Sequence, residues 1–156
     1  MENVLDLESL DTNSLKLLLK DAMDKKREIA QGDFLKFVKE VWPDFIEGKH
    51  HKIYAEKLNR IANGELKRLI VNMPPRHTKS EFASNLFPAF YMGRHPKAKL
   101  IQTTHTGELA IRFGRKAKNM IESSEYEKVF PEVTLAADSK AAGRWESNHG
   151  GEYFAA

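Results

Sequence analysis

The chain has 156 residues, with 25 Lys and Arg against 22 Asp and Glu, six His and no Cys. A chain of this length buries roughly 70% of its unfolded surface, enough for a core without disulfides; the lack of Cys excludes a disulfide framework, thiolate metal sites and cysteine redox chemistry. Residues 1–10 carry three carboxylates and no basic apolar leader, and no apolar run nears the roughly 20 residues needed to span a bilayer, so one soluble, non-secreted domain is expected.

Net charge conceals an uneven distribution. Residues 67–120 hold eleven basic and two acidic side chains, while 121–156 hold three and seven. A surplus that local points to a polyanionic partner such as nucleotide phosphate or nucleic acid, although a solvated Lys/Arg face has the same composition.

Leu15, Leu18, Leu19, Ala22, Met23 and Ile29 recur at helical spacing after the capping residues of 11–14, which predicts an amphipathic helix over 14–29 stopped by Gly32. A second helix is predicted from Asp33 through Phe34, Phe37, Val38 and Val41 to Pro43. A third runs from about His50 to Ala62, with Gly64 just past its end. Residues 1–64 thus read as a helical N-terminal extension. From 65 to 156 the pattern becomes strand (Leu69–Val71), helix (Lys79–Tyr91), strand (Lys99–Thr104) and helix (Gly107–Ile121), which predicts an α/β fold with a parallel sheet and crossovers. Trp145 and Tyr153-Phe154 mark further short strands. No internal repeat or low-complexity segment interrupts the chain.

Between the first strand and its helix, Met73-Pro74-Pro75-Arg76-His77-Thr78-Lys79-Ser80 occupies the frame of a phosphate-binding loop, G-x-x-x-x-G-K-[ST]. In such a loop backbone N–H groups and the helix start surround a phosphate, the lysine reaches the terminal phosphates and the next hydroxyl binds Mg²⁺. Lys79 and Ser80 supply the last two parts. Met73 and Thr78 stand where the consensus has glycine, and the same letters fit a Pro-Pro turn that opens an ordinary helix with Lys-Ser. If position 78 needed a positive φ, its β-branched side chain would be strained by on the order of 1–3 kcal/mol. Because Pro74 and Pro75 already fix the approach to the helix, a negative φ is expected at Thr78.

The run Arg68-Leu69-Ile70-Val71-Asn72-Met73-Pro74-Pro75-Arg76-His77-Thr78-Lys79-Ser80-Glu81 closely resembles the ATPase start of tailed-phage terminase large subunits. The resemblance takes in Trp42-Pro43, His50-His51-Lys52-Ile53-Tyr54, Gly93-Arg94, Thr104-His105-Thr106, Gly143-Arg144-Trp145 and the closing Gly150–Ala156, and so covers about residues 34–156. Members of that family usually carry glycine where this chain has Thr78. The resemblance implies a phosphate-loop NTPase fold that couples ATP hydrolysis to packaging of double-stranded DNA into a procapsid. It implies ATP and Mg²⁺ as cofactors, with double-stranded DNA, the portal protein, the small terminase subunit and copies of the chain itself as partners. The implied location is the host cytoplasm, transiently at the portal, away from membranes.

By the same resemblance Pro75, Arg76, His77, Thr78, Lys79 and Ser80 would form the nucleotide site. Lys79 would hold the β and γ phosphates, Ser80 would ligate Mg²⁺ through its hydroxyl, and Arg76 would stabilise transition-state charge, since a guanidinium stays charged and pairs with phosphate oxygens. His51 and Tyr54 would lie beside the adenine. Neighbouring helix positions diverge, so His50 and His51 are not expected to face one pocket.

Hydrolysis in this class also needs an apolar strand ending in a Mg²⁺-binding Asp, usually followed by Glu. No such pattern follows Ser80: Leu100–Thr104 ends in hydroxyls, and Glu122, Glu125, Glu127, Glu132 and Asp138 follow no apolar run. The resemblance places that strand beyond residue 156, so the ATPase domain is expected to be incomplete, to bind nucleotide weakly and to leave it unhydrolysed. The six His show no metal-ligand spacing. Arg112, Arg115 and Lys116 share a helix face that fits DNA phosphate, a neighbouring subunit or solvent. Two other functions fit the sequence: a non-catalytic module that docks through the 14–29 helix on small terminase or portal, and a piece of another phosphate-loop helicase or kinase.

Overall fold

The computed structural model describes residues 11–139 and 141–156; the leaderless start read from residues 1–10 lies outside the described residues. Asp11 accepts the Ser14 N–H at 2.7 Å and caps a long helix, α1 (Thr12–Gly32). Asp33 ends α1 with its own N–H on the Ile29 carbonyl, and starts α2 (Phe34–Val41) by accepting from the Lys36 N–H. Its second carboxylate oxygen accepts from the Asn59 amide of α3 (Lys49–Ala62), while the Asn59 side-chain oxygen accepts the Phe34 N–H, both at 2.7 Å. One Asp–Asn pair thereby fixes the junction of three helices. The expected apolar stripe of α1 is present but faces outward: Leu19 is 56% and Met23 65% exposed, and Ala30 is the buried residue of the helix.

The strand expected at Leu69–Val71 does not form. Leu69 and Val71 pack on the core and Ile70 is 88% exposed, the alternation of a strand, but no ladder partner lies beside the segment among the described residues. A strand is defined by its neighbour, and the apolar run alone cannot supply one. The following helix is present and longer than expected. It starts as α4 (Lys79–Glu81), widens into a π-helical turn at Phe82–Leu86, closed by the Phe87 N–H on the Phe82 carbonyl, and continues as α5 (Phe87–Arg94). Pro88 accounts for the widening, since it has no N–H to give and its ring would crowd the carbonyl four residues back in a regular turn.

The rest comprises β1 (Lys99–Gln102), α6 (Gly107–Ile121), α7 (Ser124–Val129), β2 (Arg144–Glu146) and β3 (Glu152–Ala155). The sheet order is β1-β3-β2, with β1 parallel and β2 antiparallel to β3, so the wholly parallel sheet expected from sequence is corrected to a mixed one. Connection length explains the difference. Helices α6 and α7 carry the chain from β1 to β2 at the far edge, and the short 147–151 loop can only reverse it into β3, which lies between the two and runs parallel to β1.

An aromatic core joins the helical and sheet-bearing parts. Phe34 of α2 meets Phe82 edge-on at 5.2 Å and Phe90 at 5.4 Å between ring centroids, and Phe37 meets Tyr126 at 6.1 Å. Such pairs contribute about 0.5–1.5 kcal/mol each beyond area burial, so α2 anchors the helix that carries Lys79 and Ser80. No helix among the described residues is long and apolar enough to cross a membrane. The architecture is mixed helix and strand.

Candidate functional site

Residues 73–80 form an exposed turn that ends at the start of α4. Arg76 (φ 63°) and Thr78 (φ 58°) both adopt left-handed backbone conformations. This corrects the expectation of a negative φ at Thr78: the chain takes up here the conformation for which glycine is suited, with a β-branched residue in place. Thr78 caps α4 from that conformation, its carbonyl accepting the Phe82 N–H at 2.9 Å.

Contacts from α3 hold the residue there. The His51 ring nitrogen Nδ1 accepts the Gly48 N–H at 2.9 Å, which places the ring proton on Nε2. His51 Nε2 therefore donates to Thr78 Oγ1 at 2.7 Å, and Thr78 Oγ1 donates to the His77 carbonyl at 2.7 Å. His51 is 6% exposed, with Phe45 at 4.8 Å and Phe82 at 5.3 Å between ring centroids. Burial, reinforced by His50 and His77 and opposed by Glu47, holds the His51 ring below the ordinary histidine range, favouring the neutral form that this network requires.

The predicted site residues fall into two groups. Pro75, Arg76 and His77 form the exposed apex, where His77 Nδ1 lies 2.9 Å from the Pro75 carbonyl. Lys79 and Ser80 sit at the helix start and line a cavity of about 420 Å³ with Tyr54, Leu69, Val71, Ala83, Ser84 and Phe87. Lys79 Nζ reaches back across the loop to the Met73 carbonyl at 3.5 Å, the outer limit of a hydrogen bond. The N–H groups of a first helical turn have no helical acceptor, so the amino end of α4 presents donors and positive potential beside those two side chains.

Tyr54 is buried, stacks on Phe82 at 5.7 Å, and has its hydroxyl pushed up to about 12 by burial. It contributes a ring wall to the cavity. Both nitrogens of His51 are already engaged, so a base could gain a hydrogen bond from it only by displacing Gly48 or Thr78. His50 borders a separate cavity with Ile53, Tyr54 and Met73, whereas His51 is buried against Phe45 and Phe82, although the two ring centroids lie 3.8 Å apart and His50 is also 5.6 Å from His77. On α6, Arg112 and Arg115 are exposed, while Lys116 is tied to Glu81 at 3.1 Å.

A larger cavity, about 700 Å³, lies between α1, the end of α5 and residues 130–133. Its charges are of both signs, and Arg27 there pairs with Asp24 at 3.0 Å, so it offers no concentrated anion or cation site. Among the described residues no three His, Asp or Glu side chains converge as a metal-binding group. Comparison with protein-family models, with curated proteins and with solved structures gives no match.

Sequence reasoning locates the loop but misses the link from His51 to Thr78. The available signal is a Thr at the glycine position of the consensus, which demands either a different backbone conformation or a group to stabilise the left-handed one.

Proposed function

We propose that this chain carries the nucleotide-phosphate site of a packaging ATPase of the phage terminase large-subunit type, built on a phosphate-loop fold. The observation that carries the reading is the left-handed Thr78 directly before Lys79-Ser80 at a helix start, the backbone that the phosphate-loop frame asks of its last glycine. Bound Mg-ATP would supply the phosphoanhydride whose hydrolysis drives DNA movement. Lys79 binds the terminal phosphates through its ammonium, and the N–H groups opening α4 orient them. Ser80 would hold Mg²⁺ through its hydroxyl. Arg76, exposed at the apex, would neutralise phosphate charge, and Tyr54 walls the adjoining cavity. DNA, portal, small terminase and further copies of the chain are the partners this reading assigns, in the host cytoplasm.

Lys79→Ala tests the reading. Titration of the chain with a fluorescent ADP analogue in the presence of Mg²⁺ should show binding that the substitution weakens by about tenfold or more, with an unchanged far-UV circular dichroism spectrum. Equal binding by the two proteins would remove the loop from the site.

One observation favours a docking role besides, namely the outward-facing Leu15, Leu19 and Met23 of α1. An apolar stripe on a surface helix is the usual footprint of a helix-in-groove contact. Loss of small-terminase or portal capture on Leu19→Ser would support that role independently of nucleotide.

A further inference from the structure

We propose that His51 is a positioning residue for the loop, which through the Thr78 hydroxyl holds the backbone in the left-handed conformation that glycine adopts unaided. The proposal rests on the phosphate-loop reading for its functional consequence, but its structural content stands apart from any nucleotide.

Three features carry it. Thr78 is β-branched and left-handed at φ 58°, a conformation that its own side chain disfavours. The hydrogen-bond chain from Gly48 N–H through His51 to Thr78 Oγ1 and on to the His77 carbonyl has one consistent direction, so every donor along it is used. His51 itself cannot drift, being buried between Phe45 and Phe82 with its Nδ1 pinned by the N-cap of α3. A rigid donor on one helix therefore faces a strained acceptor in the loop. If the pair is broken while the β-branch remains, Thr78 gains by relaxing toward negative φ, and the turn that presents Lys79 and Ser80 relaxes with it. If the β-branch is removed, the left-handed backbone persists without help.

The ordering of three substitutions at one position separates this role from a direct one. Thr78→Val keeps the shape and loses the hydroxyl, so it should weaken binding of the fluorescent ADP analogue by about tenfold or more. Thr78→Gly loses the hydroxyl as well, yet should bind at least about fivefold more tightly than Thr78→Val. Thr78→Ser keeps the hydroxyl and should likewise bind more tightly than Thr78→Val. A hydroxyl that touched phosphate itself would make the Thr78→Val and Thr78→Gly variants equally weak, which would overturn the proposal.

His51→Ala supplies the other half of a double-mutant cycle. It should weaken binding by about tenfold in the Thr78 background and by less than about twofold in the Thr78→Gly background; equal losses in both would mean that His51 acts only through fold stability and would overturn the proposal. Backbone chemical shifts and HN–Hα couplings at position 78, read by NMR without nucleotide, keep the two readings distinguishable. Parent and Thr78→Gly should be left-handed, and Thr78→Val and the His51→Ala single variant should not be. A left-handed backbone at position 78 in the Thr78→Val variant, with His51 in place, would sink the lock whatever the nucleotide data show. Absence of nucleotide binding by the parent, with these shifts as expected, would sink the phosphate-loop reading and leave the lock standing.

Discussion

Trp145 lies flat on Tyr153, with ring centroids 4.7 Å apart and planes 3° from parallel, at directly opposed positions of β2 and β3. The indole Nε1 donates to the Gly114 carbonyl at 3.1 Å, but the Tyr153 hydroxyl is buried without a partner among the described residues, and burial pushes it up to about 12. A buried unsatisfied hydroxyl costs about 1–3 kcal/mol, while the ring supplies the stacking. Tyr153→Phe is therefore expected to raise stability by about 1 kcal/mol, read as a higher urea midpoint with the same slope; a lower midpoint would reveal a bond made by the hydroxyl.

Gly114 on α6 sits where no side chain fits. A Cβ there would collide with the Ala142 carbonyl oxygen and lie 3.0 Å from the Tyr153 ring. Glycine to alanine inside a helix ordinarily gains about 0.5–1 kcal/mol, but the closest obstacle is backbone, which cannot swing away. Gly114→Ala should instead lose about 1–3 kcal/mol, measured by chemical denaturation.

His51 gives stability a pH dependence of defined sign. Its folded pKa lies below the ordinary 6.5, first because of burial and then because of His50. The unfolded chain therefore takes up a proton that the folded chain refuses. The contribution is fully present above the unfolded value and is lost as pH falls below it. Between about pH 7.5 and 5.5 the parent's urea midpoint should fall more steeply than that of His51→Gln, which cannot titrate. Parallel curves would mean that the ring titrates as freely in the fold as outside it.

The outward face of α1 makes Leu19→Ser and Met23→Ser nearly silent in stability, within about 0.5 kcal/mol. Phe37→Ala, by contrast, removes a fully buried ring and should cost about 3–5 kcal/mol. Thermal or chemical denaturation of the three variants separates the faces directly.

Local chemistry is readable in the sequence wherever one residue decides an outcome. Gly107–Ile121 is legible to the residue because Thr106 caps its start and the apolar spacing runs the length of the helix. The short strands at Trp145 and Tyr153 are legible as aromatic markers. What depends on a distant neighbour is not. The apolar periodicity of α1 says that one face is greasy, not that anything covers it, and Leu69–Val71 has the alternation of a strand without a ladder. At the loop, the spacing of Lys79 and Ser80 is visible in the letters. The backbone of Thr78 is not, because the group that stabilises it lies 27 positions earlier on another helix.

The wide turn at Phe82–Leu86 contains one more residue than an α-helical path between the same two points. Helix α4–α5 thus carries a spare. Shortening it by one residue there, with Pro88 exchanged for a residue that has an N–H, would leave Lys79 and Phe90 aimed as they are. The same excision in the middle of α6 would swing everything beyond it by about 100°. A one-residue deletion in this helix is therefore expected to keep Lys79 and Phe90 in their present relative orientation only when it falls at that turn.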